Sequence, residues 1–368
     1  MTKDDAKTII LIFFLLLLIS AIAILGVKFY HNIIKQVVQE QDPLYEGNVT
    51  ITPNENTSIG NNENNNLNQI QGTESNITIS QEKYYYQQLN SYSKSIYNKL
   101  KDNKENMKSG TYKIEFGDSF REILAKENGA EILQEYYQAA IETYLYDNPD
   151  VFYLDANKMY INIYTTKRLF NITYNVFIDS GSNVNYLSDE YASKQEIIDT
   201  ENLINSEVQK ILNKVRNQND YQKILTIHDY LVDNVAYEET VSKENIYNIV
   251  GAIVNKEAVC EGYAKAFKYL MEQIEIESIV VTGMATDSKG ETQNHAWNYV
   301  KIDNAWYAVD VTWDDPVSIG GGFLGKRYKY RYFLKGSETM SHDHIEEYSF
   351  IENGNVYSHP ILSVRDYK

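Results

Sequence analysis

The N-terminal pattern is the simplest in the chain. From Ile9 to Val27 there is no charge, and only Ser20 and Gly26 interrupt the apolar run. At about 1.5 Å per residue, a helix of that length covers roughly the hydrocarbon thickness of a bilayer. A membrane anchor is therefore expected within residues 1–30. Ala21-Ile22-Ala23 has the small-x-small pattern of a signal cleavage site, but the apolar run continues past it through Ile24, Leu25 and Val27, which favours an uncleaved span. Lys3 and Lys7 precede the span and Lys28 and Lys35 follow it, so charge does not orient it. With the short N-terminus inside, the rest of the chain is expected outside the cell, on a single-pass anchor. Residues 31–81 include the run Asn61-Asn62-Glu63-Asn64-Asn65-Asn66 and few apolar positions, as expected of a disordered, solvated stalk.

A helical period begins at Tyr84, with Tyr85, Leu89, Tyr92, Ile96 and Leu100 on one stripe, and a second stripe runs Leu133, Tyr137, Ala140, Tyr144. After Asn148-Pro149-Asp150, the segments Met159–Tyr164 and Leu169–Phe177 alternate as two strands around a Thr166-Lys167 turn. Residues 82–200 thus form a small α+β domain with no catalytic or metal spacing. A long helix carrying Ile204, Val208, Ile211 and Val215 leads into residues 201–368, and the next helix, near Tyr221 to Val235, sets His228 beside its apolar stripe, where a structural histidine is expected.

Composition narrows the function. With 34 Lys+Arg against 51 Asp+Glu the net charge is −17, which excludes a sequence-independent nucleic-acid binder, because such binding relies on Lys and Arg neutralising phosphates. Thirty-two tyrosines within a 43% hydrophobic chain are ample for a core. The single cysteine, Cys260, permits no intrachain disulfide.

Cys260 stands in Ala258-Val259-Cys260-Glu261-Gly262-Tyr263-Ala264, with Phe267, Leu270 or Met271, and Ile274 following at helical spacing. It therefore opens a helix, where unpaired N–H groups and the helix dipole favour a thiolate nucleophile. Further on, His295 to Ile302 and Ala305 to Asp310 flank the turn-formers Asp303-Asn304 as a β-hairpin. Placing Ile302 opposite Ala305 sets Asp310 opposite Trp297. His295 then shares a face with Asp310 as its diagonal neighbour, within side-chain reach. An imidazole held by a carboxylate is what deprotonating a thiol and protonating a leaving amine require. His342-Asp343-His344 offers two alternate ligands without a third and fourth, so no metal is expected. Gly320-Gly321-Gly322 lacks phosphate-loop context and is expected to be a flexible loop near the site. Tyr328, Tyr330 and Tyr332 alternate as on a strand with one aromatic face.

Three blocks, Val259-Cys260-Glu261-Gly262-Tyr263-Ala264, His295-Ala296-Trp297-Asn298 and Val309-Asp310-Val311-Thr312-Trp313-Asp314-Asp315-Pro316, resemble in order the motifs of the bacterial transglutaminase-like superfamily, relatives of papain. The resemblance covers roughly residues 205–335. It implies a papain-like α+β core, a Cys260-His295-Asp310 triad, a protein or peptide amide as substrate and no cofactor. Transglutaminases, cysteine peptidases, other amide-cleaving enzymes and inactive forms all belong to this superfamily. The expected function is a membrane-anchored surface enzyme of cysteine-dependent acyl transfer, and the competing one is a catalytically silent binding or scaffolding module at the cell envelope. For the oxyanion, the backbone N–H of Cys260 is expected as one donor and Tyr237 as a side-chain candidate. Trp297 and Trp313 are candidates for walls of the acyl site. One departure is Glu275, where the turn after the nucleophile helix often has glycine.

Overall fold

A computed structural model of the chain describes residues 83–168, 171–315, 329–347 and 358–368, with the backbone of short strands at 45–51, 351–352 and 355–356. The apolar run Ile9–Val27 and the Gly320–Gly322 loop lie outside the described residues. Among the described residues no helix is long and apolar enough to cross a membrane.

Two four-stranded antiparallel sheets organise the α+β fold. The first comprises β1 (Tyr45–Ile51), β2 (Ile114–Gly117), β3 (Tyr160–Arg168) and β4 (Asn171–Asp179) in the order β1-β3-β4-β2. Its hairpin departs from expectation. Thr166 pairs with Thr173 and the ladder continues to Arg168 opposite Asn171, so Thr166-Lys167 is not a turn. A β-branched threonine suits a ladder better than a bend. β1 corrects a second expectation, because it falls within the stretch read as a solvated stalk. Its Val49-Thr50-Ile51 end has strand chemistry, and pairing it with β3 covers what would be an open edge.

The first helical stripe is split into α1 (Tyr84–Gln88) and α2 (Ser91–Asp102). Asn90 makes the break: its side chain accepts the N–H groups of Tyr92 and Ser93, both at 2.8 Å, and so caps a new helix instead of lying inside one. Tyr85, Leu89, Ile96 and Leu100 are buried as the spacing predicts. α3 (Gly129–Asp147) buries Leu133, Tyr137, Ala140 and Tyr144. α4 (Lys194–Val215) buries Ile204, Val208, Ile211 and Val215 and runs straight across residue 200, and α5 (Asp220–Asn234) follows it.

Two short parallel strands, β5 (Ala236–Tyr237) and β6 (Glu257–Ala258), then deliver the chain to α6 (Cys260–Glu272). The second sheet is built from β7 (Ser278–Thr286), β8 (Thr292–Ile302), β9 (Ala305–Val309) and, beyond the one-turn helix α7 (Val311–Asp314), β10 (His344–Glu346), in the order β10-β7-β8-β9. The β8–β9 register is the expected one, Ile302 opposite Ala305 through Asn298 opposite Val309. Asp303 and Asn304 both take positive φ, 49° and 61°, as a tight hairpin turn demands. α6 is fastened to this sheet by Asn298, whose Nδ2 donates to the carbonyls of Ala264 (2.9 Å) and Ile279 (3.1 Å). The alternating tyrosine strand does not form: residues 329–334 are turns and bends, with Tyr332 buried and Tyr330 exposed, and Tyr328 lies outside the described residues.

A single hydrophobic cluster runs through both halves of the chain, from Tyr85 to Leu362. Polar contacts cross the same boundary. The Tyr85 hydroxyl donates to the Val280 carbonyl on β7 at 2.7 Å, and the Lys83 ammonium donates to Glu272 Oε1 on α6 at 2.5 Å.

Beyond α6, exposed Glu275 sits at φ 60°, which explains why a glycine is at home there. A left-handed conformation costs an L residue about 1–2 kcal/mol, against roughly 0.5–1 kcal/mol of extra chain entropy that glycine loses on folding. Glu275→Gly is expected to stabilise the protein by up to about 1 kcal/mol, seen as a rise of roughly 2–4 °C in the unfolding midpoint. An unchanged or lower midpoint would show that the side chain makes a compensating interaction.

Candidate active site

Cys260 is the first residue of α6, behind the N-cap Val259. The start of this helix is held by backbone contacts on two sides. Glu238 N–H donates to the Ala258 carbonyl at 3.0 Å, which fixes β5 beside β6, and Val259 N–H donates to the Ile246 carbonyl at 3.1 Å. Gly262 makes the second contact feasible, since a Cβ there would lie 2.3 Å from the Ile246 oxygen. The half-buried Cys260 packs against Ala264, Val280 and Ala296, and Tyr146 from α3 packs on the same group.

His295, on β8, is buried and places Nε2 2.7 Å from Asp310 Oδ2. The Cys260 side chain lies near enough to the ring to raise its proton affinity as well, after Asp310. Because Nε2 is committed to the carboxylate, Nδ1 is the nitrogen left for the sulfur. Asp310 leaves the end of β9 and caps α7, its Oδ1 accepting from the Trp313 N–H at 3.1 Å. Burial disfavours the His295 cation, but the charge and hydrogen bond of Asp310, with the contact to Cys260, push its pKa up to about 10. Burial likewise works against the Asp310 carboxylate, yet His295 and then His344 hold its pKa well below the usual carboxylate range. The three residues singled out from the sequence are thus brought together, His295 bonded to Asp310 and neighbouring Cys260.

His344 joins them, which the sequence reading did not foresee. Its Nε2 lies 3.1 Å from Asp310 Oδ2, and its Nδ1 lies 2.7 Å from Asp343 Oδ1. His295, Asp310 and His344 each have a potential ligand atom within 4.8 Å of the others, a spacing that could hold a metal ion. Hydrogen bonds already join Nε2 of both imidazoles to Asp310 Oδ2. The His-Asp-His run signalled His344, but nothing in its spacing pointed to Asp310. Tyr146 carried no sequence signal at all.

The remaining candidates separate cleanly. Tyr237 lines a cleft of about 270 Å³ together with His295, Gln293, Thr312, Trp313 and Tyr332. Its pKa is pushed up to about 12 by burial and then by the nearby Cys260, which places the hydroxyl in the electrostatic reach of the sulfur. Trp313 is a cleft wall, with its ring centroid 5.0 Å from that of His295, whereas Trp297 is only 1% exposed and belongs to the core. His228 is fully buried with Nε2 3.0 Å from Asp314 Oδ2 and Nδ1 3.1 Å from Asp229 Oδ1, a satisfied structural histidine as expected.

Residues 209–311 match the family model of the transglutaminase-like superfamily. A search of curated proteins returns no match. Among solved structures, a TGase aligns at 15% identity and a TM-score of 0.28, over 43% of this chain and 44% of that one. A candidate cysteine protease from Cytophaga hutchinsonii aligns at 16% identity and a TM-score of 0.25, over 43% of this chain and 59% of that one. The alignment takes in less than two thirds of either structure.

The His295–Asp310 pair sets a pH dependence. His295 has an unfolded value near 6.5 and a folded value raised to about 10, so the native state binds the extra proton between them. Its contribution to stability is fully present below about pH 6.5 and is lost as pH rises through about 10. His228 and His344, also raised, act in the same direction. Urea midpoints measured at about pH 6, 8 and 10 should therefore fall more steeply for the parent protein than for His295→Gln. Equal slopes would mean that the two side chains are not an ion pair in the folded protein.

Proposed function

We propose, for a chain whose residues 209–311 match the transglutaminase-like superfamily model, that the protein is a cysteine-dependent acyltransferase or peptidase acting on protein or peptide amides. The observation that supports it best is the buried His295–Asp310 pair beside Cys260, with His295 lining a cleft. In this reading the Cys260 thiolate attacks the amide carbonyl and forms an S–C bond, while the carbonyl electron pair moves onto oxygen. The Cys260 backbone N–H at the start of α6 and the Tyr237 hydroxyl receive that oxyanion. His295 gives its Nδ1 proton to the departing nitrogen as the C–N bond breaks, leaving an acyl-thioester. Water or a primary amine then attacks the thioester and its proton passes to His295. The C–S bond breaks and the thiolate returns. Asp310 stays ionised throughout, holding the imidazole's orientation and balancing its positive charge.

The apolar run Ile9–Val27 supports placing this activity at the outer face of a membrane, with residues 31–368 displayed. Protease shaving of intact cells tests the placement, since survival of the C-terminal part until lysis would reverse the orientation.

The chemistry is tested by incubating the full chain with a peptide mixture and a primary amine and analysing the products by mass spectrometry. Amine adducts denote transferase and cleavage denotes peptidase, while neither outcome leaves a silent scaffold as the better reading. Cys260→Ala should abolish turnover, because no other thiol exists in the chain. Asp310→Asn, with folding verified by thermal unfolding, should lower the rate on the order of 10³-fold or more, since an amide cannot balance the imidazolium.

A further inference from the structure

We propose that His344 is a positioning residue of this site: as a second imidazolium on Asp310 it fixes the carboxylate and divides its negative charge with His295.

The argument starts from hydrogen-bond inventory. Both ring nitrogens of His344 face carboxylate oxygens, Nε2 toward Asp310 at 3.1 Å and Nδ1 toward Asp343 at 2.7 Å. An ionised carboxylate only accepts, so both nitrogens must carry hydrogen and the ring must be a cation. The ring is held from all sides. β10 pairs with β7 at His344 opposite Ala285, and the rings of Trp297, Trp313 and Tyr332 lie 5.0, 4.8 and 5.1 Å from it by centroid. Asp343 is itself fixed, its Oδ2 accepting from the Tyr332 hydroxyl at 2.6 Å and lying 3.4 Å from the Arg331 guanidinium. On the far side, Cys260, Tyr237 and Asp314 complete the charged and titratable surroundings of the His295–Asp310 pair.

Asp310 Oδ2 therefore receives two charge-assisted hydrogen bonds while Oδ1 is taken by the Trp313 N–H. Its rotation is blocked, and its field acts on two cations that repel each other across 5.7 Å between ring centroids. A buried carboxylate acting on His295 alone would hold that proton too tightly for a group that has to release it to a leaving amine. His344 weakens the hold without loosening the geometry.

The consequence for turnover rests on the acyl-transfer reading, but the test does not. Cys260 is the only thiol in the chain, so alkylation reports on it alone. Iodoacetate is an anion and reacts faster while His295 is a cation, so the alkaline limb of its rate profile marks loss of the His295 proton. In His344→Gln, whose amide N–H still reaches Asp310, the limb is expected to move up by about one pH unit. Asp343→Asn keeps an acceptor for Nδ1 but removes the charge that sustains the cation, and should shift the limb the same way by less. Both profiles superposing on the parent's, or moving down, would overturn the proposal. If His344→Gln does not fold, Asp343→Asn decides alone. A parent protein that transfers no acyl group, with the shift observed, sinks the acyl-transfer reading and leaves His344 in place, and turnover with superposed profiles does the reverse.

Discussion

A carboxylate removed from water costs several kcal/mol unless nearby groups replace the lost hydration, and at Asp310, with no exposed surface, that replacement comes from three segments at once. β8 supplies His295, β10 supplies His344 and the first turn of α7 supplies the Trp313 N–H. The next two acids extend the same logic. Asp314 takes the Tyr332 N–H at 2.8 Å and His228 from α5 at 3.0 Å, and Asp315 lies 2.9 Å from the Tyr263 hydroxyl on α6. Within residues 310–315, three buried acids thus tie the sheet, two long helices and the 329–344 segment to one turn of chain. Displacing any of these partners strands a charge, which is why the geometry at His295 is specified by elements far apart in sequence.

The upstream half of the chain is part of that specification. Tyr146 packs beside Cys260 from α3, and α4 carries the chain without interruption across residue 200 into the region matched by the superfamily model. At the other end of α6, Lys268 is 2% exposed and donates to Glu272, with Asp147 of α3 among its charged neighbours. Burial pushes the Lys268 pKa down and pushes that of Asp147 up to about 6; Lys268 is compensated first by Glu272 on its own helix and also by Asp147, whereas Asp147 is compensated first by Lys268. The helix that begins at Cys260 is therefore anchored at both ends by residues from upstream of the region matched by the superfamily model.

Local chemistry was legible in the sequence wherever one element determined it. The β8–β9 register followed from two turn-formers and the alternation around them, and the start of α6 followed from apolar spacing behind Cys260. Legibility failed where the partner lay elsewhere. The helix break at Asn90 needed the capping competence of its side chain to outweigh an unbroken apolar stripe. β1 is a single strand in a polar stretch, and only β3 gives it a reason to be extended. The tyrosine alternation at 328–332 mimicked a strand because Tyr332 must turn inward toward Asp343 and His344, which a periodicity argument cannot represent. His344 was visible as a residue but not as a partner, since its link to Asp310 depends on β10 pairing with the far edge of β7.

Two His–Asp pairs lie within a few residues of each other along this turn, and electrostatics tells them apart. Asp310 faces two imidazoles, and its proton affinity falls well below normal despite complete burial. Asp314 is equally buried but faces one imidazole and a backbone N–H, with the negative charge of Asp310 nearby, and its pKa rises to about 6. His228 spends both ring nitrogens on Asp314 and Asp229 and lines no part of the cleft, so it has nothing left with which to move a proton. His295 spends only Nε2 on its carboxylate and has Cys260 as an electrostatic neighbour. A structural pair closes its hydrogen bonds on itself, whereas a pair suited to chemistry leaves one nitrogen for a reacting group and a carboxylate that stays ionised while the proton leaves. By that criterion the Asp310 pair, and not the Asp314 pair, is the one built for chemistry in the acyl-transfer reading proposed above.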